Sequence, residues 1–215
     1  MKITNWISLR HQNDISKKLY KKYAIKTLLD LGGGNNPQFK IANSLGIKQL
    51  IIDSYFDECD GSVSRRKINF LDFDSVQKSI LEIFGLNQVD CVVCIQAIEH
   101  LTKEDGFRLL ESVEHLSKKL VIFETPNGFV EQGAINGNVH QIHLSGWAPE
   151  DFLSRGYSLL GTSGMKFLKK NYDKGSYKLD IRGMKILDVL LSRVLLLQVF
   201  PKLNYNLYAY KVLEK

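Results

Sequence analysis

Asp30, Gly32, Gly33 and Gly34 stand together where an apolar run, TLLDLGGGNNPQF, gives way to polar residues, and Asp53 closes a second run, KQLIIDSY. Glycines at a strand-to-helix turn let the backbone come close to a ligand. An acidic side chain about 20 positions on, at the tip of the next strand, suits the two hydroxyls of a ribose. The pair points to a ligand that carries a nucleoside. Each feature also has a plainer use, since glycines make tight turns and an aspartate can end a strand. The dinucleotide pattern G-x-G-x-x-G is broken here, because Gly32 and Gly34 are followed by Asn36 and Pro37. No G-K-[ST] follows to make a phosphate-binding P-loop.

A second set of reactive side chains comes later. Glu99 and His100 follow the apolar run VDCVVCI, and His140, His143 and Trp147 lie in NVHQIHLSGW. Imidazoles take up and release protons near neutral pH. Cys91 and Cys94 form a C-x-x-C inside VDCVVCI. On a strand, residues three apart point to opposite faces, so the pair reads as packing rather than as a metal site.

These residues need elements to hold them. Short apolar runs alternate with helix-like stretches, which predicts strand-helix-strand units and a largely parallel sheet. A helix over about 14–25 is expected behind Asp14 as its cap, with Ile15, Leu19 and Tyr23 on one face. Asn36 and Pro37 read as the cap and first turn of the next helix, which carries Phe39, Ala42 and Leu45 inward and ends at Gly46. A third strand is expected at Lys67 to Phe70. Asp74 then caps a helix with Val76, Ile80 and Ile83 inward, and Gly85 stops it. VDCVVCI is the fourth strand, Thr102 caps the following helix, and KLVIFE is the fifth strand. From residue 130 to Gly146 a long polar loop is expected. Tyr157–Leu160 and Tyr205–Val212 read as two more strands, separated by a hydrophobic helix over about 184–199. No linker composition divides the chain, so 1–215 is read as one domain.

The chain has 215 residues, 44% of them hydrophobic and 24% charged, with a formal net charge of +6. Those proportions are ordinary for a soluble globular protein. Lys17, Lys18, Lys21, Lys22 and Lys26, and then Arg65, Arg66 and Lys67, make basic clusters. Such clusters attract nucleic acid, anionic lipid or acidic substrates, but short charge runs are usually plain solvated faces. The first residues lack the apolar core of a signal peptide, and three cysteines suit no disulfide scaffold, so a cytoplasmic location is expected. The run from Ile186 to Phe200 is interrupted by Asp188, Ser192 and Arg193 and is too short to span a bilayer, which takes about 20 residues.

From about Thr27 to Gly164 the chain resembles the class I S-adenosylmethionine (SAM)-dependent methyltransferases, in the broad group with a D-x-G-x-G loop and an E-H-L segment. LLDLGGGNNP is similar to the family's first motif, with Asn36 in place of its third glycine. The resemblance implies an α/β, Rossmann-like fold: a seven-stranded, mostly parallel sheet with an antiparallel last strand and helices on both faces. It implies SAM as cofactor. Asp30, Gly32, Gly33 and Gly34 would lie beneath its amino acid part, Asp53 on the ribose, Asp72 and Phe73 at the adenine, and Gln96 near the methyl donor. No [ND]-P-P-[YFW] segment stands at the fourth-strand tip, which argues against adenine and amide N-methylation. NVHQIHLSGW and TPNGF resemble segments of a subgroup of bacterial and archaeal methyltransferases.

Methyl transfer is an in-line displacement, and an alcohol acceptor also needs its proton removed. His143 or His140 is the expected base, and His100, Asn127 and Trp147 are expected to face the acceptor. Ubiquinone-type and small-RNA 2′-O-methyltransferases hold a divalent ion with an E-x-x-E-H pattern and a later histidine. The pattern here begins with Gln96, so no metal is the primary expectation, and Glu99, His100 and His140 form a candidate set. The reading is therefore a cytoplasmic SAM-dependent methyltransferase of a small-molecule or glycan acceptor, acting at oxygen. RNA methylation and a non-catalytic SAM-binding scaffold are the alternatives, and a nicotinamide-dependent dehydrogenase shares the same glycine turn. The helix over 184–199 is expected to be buried, with a dimer face, a lid or a peripheral membrane contact as its other uses.

Overall fold

Apolar runs bounded by turn residues become the strands of a single sheet in the computed structural model. The structure describes residues 3–34, 38–55, 64–135, 137–168, 187–188 and 199–213. In chain order the elements are α1 (Ile3–Lys22), β1 (Thr27–Leu31), α2 (Gln38–Ser44), β2 (Lys48–Asp53), β3 (Ser64–Lys67), α3 (Phe73–Phe84), β4 (Val89–Ile95), α4 (Lys103–Leu116), β5 (Ser117–Pro126), α5 (Pro149–Leu153), β6 (Ser158–Met165) and β7 (Asn204–Val212). The seven strands lie in the order β3-β2-β1-β4-β5-β7-β6. β7 is antiparallel to both of its neighbours, and the pairings from β3 through β5 are parallel.

Near-continuous apolar strands are what a sheet covered on both faces requires. Alternate residues of β4 show it: Cys91 and Val93 pack with Tyr20, Ile41 and Ala42 on the α1/α2 side, while Val92 and Cys94 pack with Val76, Leu109 and Val113 on the α3/α4 side. Cys91 and Cys94 are free, buried and on opposite faces, as the strand period demands. Chain order reverses between β1 and β4. The crevice beyond the carboxyl ends of strands at such a reversal is where open α/β sheets bind ligands.

Local differences from the sequence reading each have a cause. α1 begins by Ile3, so Asp14 is an exposed mid-helix residue and not a cap. Its buried row is Gln12, Ser16 and Tyr20, with Ser16 Oγ 2.8 Å from the Tyr208 hydroxyl; Ile15, Leu19 and Tyr23 flank that row, half-buried. β3 is Ser64–Lys67 rather than Lys67–Phe70, since a charged edge strand carries no apolar signal. Asp72, not Asp74, caps α3 by accepting the Ser75 N–H at 3.2 Å. The cap expected at Asn36 and most of the helix expected over 184–199 lie outside the described residues. Among the described residues no helix is long and apolar enough to cross a membrane.

Candidate active site

The glycine turn is held from below and behind. Gly32 leaves β1 at φ +70°, donates its N–H to the Ile52 carbonyl at 2.8 Å, and is so close to Ala97 that a Cβ would lie 2.5 Å from that residue's own. Only glycine meets both demands. Gly33 rests on Asp30, where a Cβ would stand 2.8 Å from the carboxyl carbon. Gly34 donates its N–H to Asp53 Oδ2 at 2.9 Å, and its carbonyl accepts from Arg65 Nη1 at 2.6 Å. Asp53 Oδ1 accepts the Tyr55 N–H at 2.8 Å, which leaves lone pairs on both carboxylate oxygens.

Asp30 is fully buried beneath this turn, and burial, then the Asp53 charge, push its carboxyl up to about 8 against a smaller pull from Arg65. Its Oδ2 accepts from Gln49 Nε2 at 3.4 Å.

Across the reversal, Gln96 caps β4 at φ +52°, a left-handed conformation that non-glycine residues adopt at a cost. Its N–H donates to the Glu124 carbonyl at 2.7 Å. A cleft of about 240 Å³ opens here. One wall is Gly32, Asp53, Ser54, Tyr55, Asn69, Phe70 and Leu71; the floor is Gln96 and Ala97; the far wall is His100, Leu101, Val139, His140, Gln141 and Leu144.

The far wall is organised by two carbonyls. His100 Nδ1 lies 3.1 Å from the Ile142 carbonyl, and His143 Nδ1 lies 2.7 Å from the Val130 carbonyl. A carbonyl only accepts, so Nδ1 carries the proton in each ring and Nε2 keeps its lone pair. The rings stand edge to face with centroids 4.8 Å apart. Burial lowers both histidines from their ordinary range, which keeps them neutral. Glu99 is buried beside them and accepts from Thr125 Oγ1 at 3.0 Å; burial raises its carboxyl to about 8. One potential ligand atom from each of Glu99, His100 and His143 lies within 4.8 Å of the others.

The expected site residues therefore divide. Gly32, Asp53, Gln96, His100 and His140 line the cleft, with Gly33 and Gly34 continuing the glycine turn and Asp30 beneath it. Asp72 and Phe73, expected at the adenine, are not among the cleft-lining residues: Asp72 caps α3, Phe73 packs on the core, and Asn69, Phe70 and Leu71 line the wall. His143 stands behind His100, and it takes the place expected of His140 in the Glu99–His100 set. Asn127 and Trp147 are structural. The Asn127 amide donates to the carbonyls of Pro201, Lys202 and Asn204, and Trp147 is fully buried against Phe107 and Phe152. Tyr55 and Leu144 line the cleft unannounced by any motif, although Tyr55 follows Asp53 by two positions.

This sheet order, with a glycine turn and a strand-tip aspartate at the reversal, is that of the Rossmann-like class I methyltransferase fold. Comparison with known proteins agrees. A SAM-dependent methyltransferase from Archaeoglobus fulgidus superposes with a TM-score of 0.54 at 16% identity, covering 93% of this chain and 94% of that one. The 1,6-didemethyltoxoflavin-N1-methyltransferase of Burkholderia thailandensis, solved with 1,6-didemethyltoxoflavin and S-adenosylhomocysteine, gives 0.55 at 10% identity, covering 97% and 79%. In sequence, 141 residues are 24% identical to a ubiquinone biosynthesis O-methyltransferase of Rickettsia canadensis (strain McKiel), covering 66% of this chain. The match spans 56% of that protein's length. No family model matches the chain.

Proposed function

We propose that this chain is a SAM-dependent methyltransferase that moves a methyl group to an oxygen of a small-molecule or glycan acceptor. The observation that carries the reading is the meeting, in one cleft, of the Gly32–Gly34 turn, Asp53 and Gln96 with a wall that presents His100 and, behind it, His143. The residues fit the cofactor. The glycine turn gives its amino acid part a close backbone, Asp53 offers acceptor lone pairs to ribose hydroxyls, and Tyr55, Phe70 and Leu71 offer apolar surface to adenine. SAM supplies an electrophilic methyl group on a sulfonium.

The chain's part is to hold the acceptor oxygen in line with that methyl and to take its proton. His143 Nε2 is suited to the proton: the ring is neutral, its tautomer is fixed by Val130, and it stands edge to face behind His100, which lines the cleft. Calorimetric titration with SAM, S-adenosylhomocysteine and NADH tests the cofactor. Both adenosyl ligands are expected to bind, NADH is not, and Asp53→Ala is expected to weaken binding. Binding of NADH alone would replace this reading with a dehydrogenase.

A second reading of the far wall is favoured by the Glu99–His100–His143 convergence. Histidines that ligate metals have their other ring nitrogen fixed by a carbonyl or carboxylate, as both are here. One carboxylate and two imidazoles suit a transition ion better than magnesium. In this reading His143 Nε2 is a ligand, and the ion supplies Lewis acidity at the acceptor oxygen.

A further inference from the structure

His143 belongs to the loop between β5 and α5, and that loop is closed at its two ends against itself. Gly128 donates its N–H to the Trp147 carbonyl at 2.7 Å, and Gly146 is pressed on Phe129 so closely that a Cβ would lie 2.5 Å from the Phe129 nitrogen. The Trp147 ring packs on α4 at Gly106 and Phe107, and Lys103 then fastens the closed junction to the N-terminus of that helix. Lys103 Nζ donates to the Gly146 carbonyl at 2.7 Å and to Asp151 Oδ2 at 2.6 Å, and it stands 3.9 Å from the centre of the Trp147 ring.

We infer that Lys103 is the positioning residue of the acceptor wall: it locks the closed loop to the segment that carries Glu99 and His100, and so holds the Val130 carbonyl against His143. α4 begins three residues after His100, so Lys103 and His100 are carried by one short stretch of chain. His100 Nδ1 lies 3.1 Å from the Ile142 carbonyl, and the Leu144 and Ser145 N–H groups donate to the Glu99 carbonyl at 2.9 and 3.1 Å; these bonds hold residues 142–145, not the 128–132 side of the loop. With the junction loose, residues 128–132 would keep their bonds to the far arm of the loop, among them Gln132 Nε2 to the Gln141 carbonyl at 2.7 Å, but would lose their register against α4, and Val130 and Gln132 are the residues that bond His143. An ammonium group offers donors for the carbonyl and the carboxylate together, and its charge favours the indole face below. A neutral side chain of the same length does neither.

The inference rests on His143 acting in this site, as base or as ligand, and holds for either role. It is tested on the full chain freed of divalent ions, by nitrogen-15 spectra of the imidazole rings at neutral pH. In the wild type His143 and His100 should each show a single Nδ1–H tautomer. Lys103→Met should convert the His143 signal to a mixture of tautomers while S-adenosylhomocysteine affinity is unchanged, and Lys103→Arg should restore the single form. Lys103→Gln is a second variant for the case where Lys103→Met fails to fold, because its shorter, uncharged side chain stays polar but loses the ammonium that joins the Gly146 carbonyl and Asp151. An unchanged His143 tautomer in either folded variant would overturn the inference. Failure of the wild type to bind S-adenosylhomocysteine would instead overturn the cofactor reading and leave the tautomer result to stand alone.

Discussion

His143 Nδ1 lies 2.7 Å from the Val130 carbonyl, whereas His140 is exposed, with its ring 6.5 Å from that of Tyr55. Three residues apart in one loop, the two imidazoles have different surroundings and different prospects. Among the described residues none fixes the tautomer of His140, which is exposed at the cleft wall. His143 has a fixed tautomer, a lowered proton affinity and a second imidazole beside it. Titration with Mn2+ distinguishes the two roles open to His143. If it is a ligand, the wild type binds Mn2+, His143→Ala loses at least about tenfold in affinity, and His140→Ala loses nothing. If it is a base alone, none of the three proteins binds the ion, and the Glu99–His100–His143 reading falls. No spacing rule could have chosen between His140 and His143, because an irregular loop has no period. The fixed spacing from strand to turn made Gly32 and Asp53 legible instead.

Gly106 shows how an element's neighbours can reverse its own preference. It lies within α4, where exchanging glycine for alanine ordinarily adds about 1 kcal/mol of stability. Here a Cβ would overlap the Trp147 ring, which is fully buried between Phe107, Phe152 and the Lys103 ammonium. The ring has nowhere to retreat, so steric overlap outweighs propensity. Gly106→Ala should therefore destabilise the protein by about 1–3 kcal/mol. The thermal midpoint checks it, and a rise would show that the Trp147 site is looser than its packing implies. Legibility follows the same division. Elements specified by their own pattern were readable: β1, β2 and β4 as apolar runs, and α4 from its Thr102 cap, whose Oγ1 accepts the Asp105 N–H at 3.1 Å. Features set by partners distant in sequence were not. Trp147 and Asn127 looked like acceptor contacts, and only the folded loop shows them engaged by α4 and by residues 201–204. Nothing in the apolar periodicity marked the start of α1, since its buried row includes Gln12 and Ser16.

Across the whole molecule, the carboxyl edge of the sheet concentrates buried acid. Asp30 at the end of β1, Glu99 after β4 and Glu124 on β5 are pushed up to about 8, 8 and 7, each chiefly by burial. An unfolded carboxyl titrates near pH 4, so between about pH 4 and pH 7–8 the folded state holds protons that the unfolded state has released. Stability from these groups is present at low pH and is lost as pH rises through the folded values. His100 and His143 act in the opposite sense: their folded values are lowered, so they cost stability as pH falls below about 6.5. Opposed contributions blur a single melting profile, but a difference between two proteins cancels whatever they share. Glu124 is the group to remove, because it lies outside the cleft and the amide oxygen of a glutamine in its place can still accept from Thr162 and Asn206, as the carboxyl does now. With Glu124→Gln, the variant's thermal midpoint relative to wild type should rise steadily between about pH 5 and 7, by up to about 1.4 kcal/mol of stability per pH unit, and level off above pH 8. The histidine contribution drops out of that difference. A constant difference over the whole range would mean that Glu124 is ionised in the folded protein, with its bonds to Thr162 and Asn206 outweighing its burial.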